Sequence, residues 1–248
     1  MATHELVDPY IDPESGVLQN LRGAQSWEEL AGAEAFFVAT RQIQLASNPI
    51  GGDPSLKQLQ EIHQHLFQDV YSWAGKLRTV DIRKSSDDAE PFMPVSRLDM
   101  AAGYVFGELG QENFLRGLDR DAFVDRLSDF YDQVNYLHPF REGNGRAQRV
   151  MWSQVASKAG WSIDWNQVSG AENNLASSLA GKARDLSGLH QMFDRVVSPR
   201  VGTSSLGGGD GGLGRRLRLS RGTQVAKVSP VESDLVQRVK LKEQERER

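Results

Sequence analysis

The chain has 248 residues, 39% of them hydrophobic and 25% charged, with a net charge of −4 at pH 7. That composition suits a soluble globular protein with one sizeable core and a short appendage. The absence of cysteine excludes disulfides and thiol nucleophiles and argues against a structural zinc site.

The N-terminus, "MATHELVDPYIDPESG", is acidic and has no apolar core of the kind a secretory signal requires. No apolar run is long enough to span a membrane. Ser26 with Glu29 forms a capping box, which predicts a helix running to about Ser47. Asp53 and Pro54 read as the N-cap and first position of a second helix carrying Leu56, Leu59, Ile62, Leu66, Phe67 and Val70. His63 and His65 lie two apart on it, face different directions and are no metal pair; they read as filler. Trp73 reads as core rather than as a base-stacking platform.

"GKLRTVDIRKSSDDAEPFMP", residues 75–94, breaks the helical pattern. Its alternation, a polar turn cluster and the return at Phe92 predict a two-stranded hairpin or extended flap. A lone hairpin is marginally stable and would gain from pairing with another strand. Helical spacing resumes from Ser96, and again over "RDAFVDRLSDFYDQVNYL". A helix ended by Gly160 and a last long helical segment from Ser169 to about Pro199 follow. Residues 201–229 are a Gly-rich flexible linker. Residues 230–248 form a short charged helix or tail that cannot bury its face alone. Residues 201–248 carry ten basic against six acidic residues, so the first 200 carry −8. An acidic body disfavours direct nucleic-acid binding.

Between two of the helical patterns stands "NYLHPFREGNGRAQR", residues 135–149. Pro139 drives His138 out of helical conformation, so the histidine sits at a helix end beside a loop. "EGNG" then runs into a helix N-terminus beginning near Gly145 or Arg146. Free backbone N–H groups, the positive end of the helix dipole and glycines that admit close approach make an anion site. Arg146 and Arg149 lie one turn apart and can both fork onto phosphate oxygens. Glu142 would repel phosphate unless it holds a Mg²⁺ that bridges phosphates. His138 then stands where a general base would deprotonate an attacking hydroxyl. Phe140 reads as a core anchor for the loop. The pattern is not a Walker loop, since G-x-x-x-x-G-K-[ST] is absent.

His138-Pro-Phe140-Arg-Glu142-Gly143-Asn144-Gly145-Arg146-Ala-Gln-Arg149 resembles the Fic signature H-x-F-x-[D/E]-G-N-G-R-x-x-R at every defined position. "YIDPESGVLQN" and "IHQHLFQDVYSWAGKLRTVDIRKSS" are also similar to that family, so the resemblance covers residues 10–199. It implies an all-α, compact Fic-type helical domain over residues 1–200 with a β-hairpin flap. It implies transfer of AMP from ATP, with Mg²⁺, to a Ser, Thr or Tyr hydroxyl of a target protein. On that resemblance His138 is the base and Glu142 the metal ligand. Gly143, Asn144 and Gly145 form the anion hole, with Asn144 at the α-phosphate side. Arg146 meets the β-phosphate and Arg149 the γ-phosphate. The flap would register the target as an added strand, with Ile82, Lys84 and Phe92 flanking the modified side chain. Glycine rather than lysine at Gly145 favours AMP over phosphoryl transfer.

Many members of the family are held off by a helix of pattern [S/T]-x-x-x-E-[G/N], and the chain contains none. The resemblance is therefore to cytoplasmic toxin-like members silenced by a separate small antitoxin, whose targets include type II topoisomerase subunits. A secreted effector, a different transferred group and a silent nucleotide-binding module stay as alternatives.

Overall fold

The computed structural model describes residues 8–83 and 91–200. Lys84, the Gly-rich linker and the expected helix at 230–245 lie outside the described residues.

Seven helices carry the described fold: α1 (Trp27–Ser47), α2 (Leu56–Phe67), α3 (Leu98–Gln111), α4 (Arg120–Leu137), α5 (Asn144–Ala159), α6 (Gly170–Ala183) and α7 (Ser187–Val196). Ser26 caps α1 through Glu29 N–H, as the capping box predicts. The cap of α2 is Ser55, which accepts from Gln58 N–H. Asp53 is not that cap; its carboxylate takes Arg116 instead, at 2.9 Å. Pro54 therefore precedes the helix by two positions, and the Ser55 hydroxyl, closer to the apolar run than the Asp53 carboxylate, takes the cap. A 3-10 turn, Val95–Arg97, leads into α3. The last segment is not one helix. Arg184 adopts a left-handed conformation that ends α6, and α7 follows after a short break. Beyond α7 the chain extends as β2 (Val197–Pro199), antiparallel to β1 (Trp161–Ile163), with Ile163 opposite Val197.

Helix α4 lies among α3, α5, α6 and α7, while α5 also packs on α2, and α2 on α1. Phe123, Leu127, Phe130 and Val134 of α4, spaced by three or four, are buried in the same core as Met151, Trp152 and Val155 of α5. This places the C-terminal end of α4 and the N-terminal end of α5 side by side, with the loop between them fixed at both ends. Phe140, fully buried, anchors that loop. No helix among the described residues is long and apolar enough to cross a membrane.

The expected hairpin is an extended flap rather than a ladder among the described residues. One antiparallel bridge, Arg83 to Pro91, and the bond from Phe92 N–H to the Ile82 carbonyl hold its two arms together. Its roots are tied elsewhere: Arg78 N–H donates to the Pro139 carbonyl at 2.9 Å, and Met93 N–H to the Tyr136 carbonyl at 3.0 Å. The backbone groups find partners at the end of α4, which satisfies them without a second full strand.

Candidate active site

The end of α4, the start of α5 and the flap meet at the α4–α5 loop. His138 closes α4 in the left-handed conformation, φ 42°, and Pro139 behind it stops the helix from continuing. Its Nδ1 lies 3.2 Å from the Asn135 carbonyl oxygen. A carbonyl can only accept, so Nδ1 carries a proton, and in the neutral ring Nε2 is the basic nitrogen. The ring stacks on Phe92 of the flap, with centroids 3.7 Å apart and planes 11° from parallel. Phe92 thus stands against the histidine, and Ile82 stays half-buried beside it in the flap backbone.

Glycine is required at position 143 on two counts. Its φ is +81°, and a Cβ would stand 2.4 Å from Phe67 Cζ. From there α5 begins, one residue earlier than the glycine spacing suggests, with Gly143 as N-cap. Asn144 is buried, and its side chain closes the loop on itself: Oδ1 accepts from Phe140 N–H at 2.9 Å and Nδ2 donates to the Phe140 carbonyl at 2.7 Å. Its side-chain amide is thereby committed to holding the loop, so an anion here meets the backbone of this turn. Gly145 is exposed, and a Cβ there would meet no atom within 4 Å. The protein's own atoms therefore leave room for a side chain at 145.

Glu142 presents one carboxylate at the rim. Its Oε1 accepts from Gly143 N–H at 3.0 Å and lies 3.5 Å from Arg146 Nη2. No group of three or more His, Cys, Asp or Glu able to hold a metal occurs among the described residues. A single carboxylate fits a Mg²⁺ held mainly by phosphate oxygens and water, since this ion keeps several waters and binds through one or two carboxylates plus phosphates.

The two arginines differ in their surroundings. Arg146 Nη1 pairs with Glu34 of α1 at 2.6 Å, and its guanidinium lies over Phe67, 4.6 Å from the ring centroid. Burial opposes the charge on Arg146, but the carboxylates of Glu34 and Glu142 outweigh it and raise its pKa. Arg149 lies over Trp165 at 5.5 Å. That indole is fixed by its Nε1–H donating to Ser153 Oγ at 2.8 Å. Among the described residues no carboxylate lies within ion-pair distance of Arg149.

Four residues outside the motif complete the site, and sequence reasoning missed them. Glu34 is the first. His63, read as filler, is fully buried: Gly75 N–H donates to its Nδ1 at 2.8 Å, so Nε2 carries the proton and donates to the Glu142 carbonyl at 2.9 Å. It stacks on Phe140, centroids 3.9 Å apart. Burial, with a further push from the Arg146 charge, lowers its pKa to about 3, against the Glu142 carbonyl bond and carboxylate, so it is neutral at pH 7. Arg78, with its side chain fully buried, donates from Nε to the His138 carbonyl at 2.8 Å, from Nη1 to Val80 at 2.9 Å and from Nη2 to the Met93 carbonyl. It thereby ties the flap root to the backbone of the histidine. Trp165 is the fourth. Trp73 sits in the core as expected, stacked on Tyr71 at 4.1 Å.

Comparison with known proteins gives this geometry a family. The model of the Fic/DOC family matches residues 53–156. The "Probable protein adenylyltransferase Fic" of Escherichia coli K12 is 33% identical over 191 residues, which are 77% of this chain and 92% of that protein. The chain belongs to the Fic/DOC family. Among its relatives, protein adenylyltransferase VbhT of Bartonella schoenbuchensis is 41% identical over 201 residues, 79% of this chain, yet the match spans only 41% of VbhT. The fold is that of the BepC crystal structure from Bartonella tribocorum, a VirB-translocated effector with bound AMPPNP. The TM-score is 0.75 at 21% identity, over 80% of this chain and all of the other. The Fic domain is therefore all-α, as its sequence implies.

Proposed function

We propose that this chain is a protein adenylyltransferase that moves AMP from ATP onto a hydroxyl side chain of a target protein. One observation carries the reading: His138, with Nδ1 bonded to Asn135, sits one short loop from the N-terminus of α5 and its two arginines. The target hydroxyl oxygen forms a bond to the α-phosphorus and gives its proton to His138 Nε2. The bond from the α-phosphorus to the α,β-bridging oxygen breaks, and pyrophosphate leaves. Backbone N–H groups of the Gly143–Gly145 turn, at the positive end of α5, stabilise charge on the α-phosphate. Arg146 and Arg149 hold the β- and γ-phosphates. Glu142 would hold Mg²⁺ at the α- and β-phosphates, where the ion would supply further charge neutralisation. Phe92 and Ile82 flank the incoming side chain, whose segment adds to the flap as a strand.

Among the described residues no carboxylate pairs with Arg149, which supports control from another chain, a small antitoxin whose glutamate would take that guanidinium. On this reading the protein is a toxin acting in the cytoplasm, where ATP is available, with type II topoisomerase subunits as first targets to try. The test uses purified full-length protein, Mg²⁺ and a bacterial lysate with ATP labelled at either the α- or the γ-phosphate. Label from the α-phosphate alone supports the reading. Label from the γ-phosphate, or none, overturns it.

A further inference from the structure

We propose that Glu34 of α1 is a positioning residue for Arg146, setting the orientation in which that guanidinium meets the β-phosphate; this rests on the nucleotide site described above. Glu34 lies outside residues 53–156, the stretch the family model matches. It is a glutamate with only 2% of its surface exposed, in the middle of a helix. Both of its carboxylate oxygens are used. Oε1 accepts from the Tyr71 hydroxyl, and Oε2 takes Arg146 Nη1 at 2.6 Å. Tyr71 is itself buried and held by its stack on Trp73. Glu34 is therefore fixed from behind before it meets the arginine.

The arrangement around Arg146 is directional. Phe67 covers one face of the guanidinium, Glu34 takes Nη1, and Nη2 points toward Glu142 at the rim, 3.5 Å away. A planar fork held at one amino group and one face has its remaining donors aimed in one direction. A buried ion pair contributes little net stability over an apolar pair, because desolvation offsets the attraction. Geometry is what such a pair can supply: a long side chain at the site is ordered before the ligand arrives, which removes the cost of ordering it on binding. The opposite role, in which Glu34 competes with phosphate for Arg146, fits the contacts less well. A competing carboxylate must be free to withdraw, and Glu34 is anchored by a buried tyrosine.

The test is nucleotide binding by calorimetry, with Mg²⁺ present, on the full chain and three variants: Glu34→Gln, Glu34→Asp and Tyr71→Phe. The probes are ATP, ADP and AMP. Gln keeps the shape and removes the charge that holds Nη1. Glu34→Gln is expected to weaken ATP and ADP about tenfold to a hundredfold, the worth of a charged hydrogen bond. AMP has no β-phosphate and is expected to bind within about twofold of wild type, a difference below the ~0.6 kcal/mol thermal energy scale. Glu34→Asp should recover part of the loss. Tyr71→Phe keeps the core ring, frees one anchor of Glu34, and should show the same ATP-against-AMP pattern at smaller size. A general loss of all three nucleotides means Glu34 is merely structural and overturns the proposal. Unchanged or tighter ATP binding in Glu34→Gln overturns it too, the tighter result indicating competition. Because binding is read without turnover, a wild-type protein that binds ATP but transfers no AMP would sink the proposed function and leave this inference standing.

Discussion

Replacing Arg78 with methionine should cost the fold several kcal/mol while leaving the aliphatic packing of the side chain in place. Its guanidinium donates to the carbonyls of His138, Val80 and Met93, with a longer contact of 3.4 Å to Leu137. Each hydrogen bond to a charged group is worth about 1.5–3 kcal/mol, less the desolvation that burying the guanidinium incurs. That desolvation is real here: burial lowers the Arg78 pKa, against the opposing pull of Asp81 and Tyr10. Removing one partner of a buried charged network typically costs about 3–5 kcal/mol, because the other partners stay buried and unpaired. For a domain of this size that is a fall in Tm of roughly 6–20 °C. Urea denaturation of wild type, Arg78→Met and Arg78→Lys would measure it, with lysine, a single-point donor, falling in between. A loss below ~1 kcal/mol at unchanged m-value would refute the claim that this guanidinium holds the flap to α4.

His138→Ala should lower initial AMP transfer by about 10²–10⁴, the worth of a positioned base, with ATP affinity near wild type; a mutant retaining a tenth of the wild-type rate would remove His138 from that role. Glu142→Gln should shift the Mg²⁺ titration of activity to higher concentration, since an amide is a weaker ligand for a hard cation. Gly143→Ala should destabilise by about 2–4 kcal/mol, from left-handed strain and the clash with Phe67, whereas Gly145→Ala should cost nothing in denaturant melts. His63 gives a pH signature. Its folded pKa of about 3 lies below the unfolded value near 6.5, so the unfolded chain binds the extra proton in between. Stability therefore falls as pH drops through that window, by up to about 1.4 kcal/mol per pH unit, and His63→Gln should flatten that part of the curve.

The helices were readable because apolar residues three and four apart declare a buried face without knowledge of what covers it. The catalytic loop was readable for a different reason: its chemistry is contiguous, and Pro139 and the glycines dictate its backbone locally. Glu34, His63 and Arg78 were not readable, because their roles are set by partners far along the chain. Glu34 meets Tyr71 across 37 residues, Arg78 reaches the His138 carbonyl across 60, and His63 the Glu142 carbonyl across 79. A glutamate inside an amphipathic helix reads as solvated until the arginine opposite it is known. The same holds for the flap. Alternation allowed either a hairpin or an extended flap, and the anchoring of its roots, Arg78 N–H on the Pro139 carbonyl and Met93 N–H on the Tyr136 carbonyl, is announced by no local pattern.

The segment before α2 bears on how far this domain can be cut. Asp8 takes Arg141 of the catalytic loop at 2.7 Å, and Tyr10 packs edge-on against Trp73 while its hydroxyl accepts from Thr79 N–H at 3.1 Å. With Glu34 on Arg146, three separate threads run from the first 52 residues into the loop, the flap root and the helix that follows. A fragment drawn at residue 53, where the family model begins to match, would keep every signature residue and lose these ties. Its loop would have the right letters on an unbraced frame. Transplanting the signature into another helical scaffold meets the same obstacle, and a graft would have to bring an acidic residue for Arg146 from outside the motif.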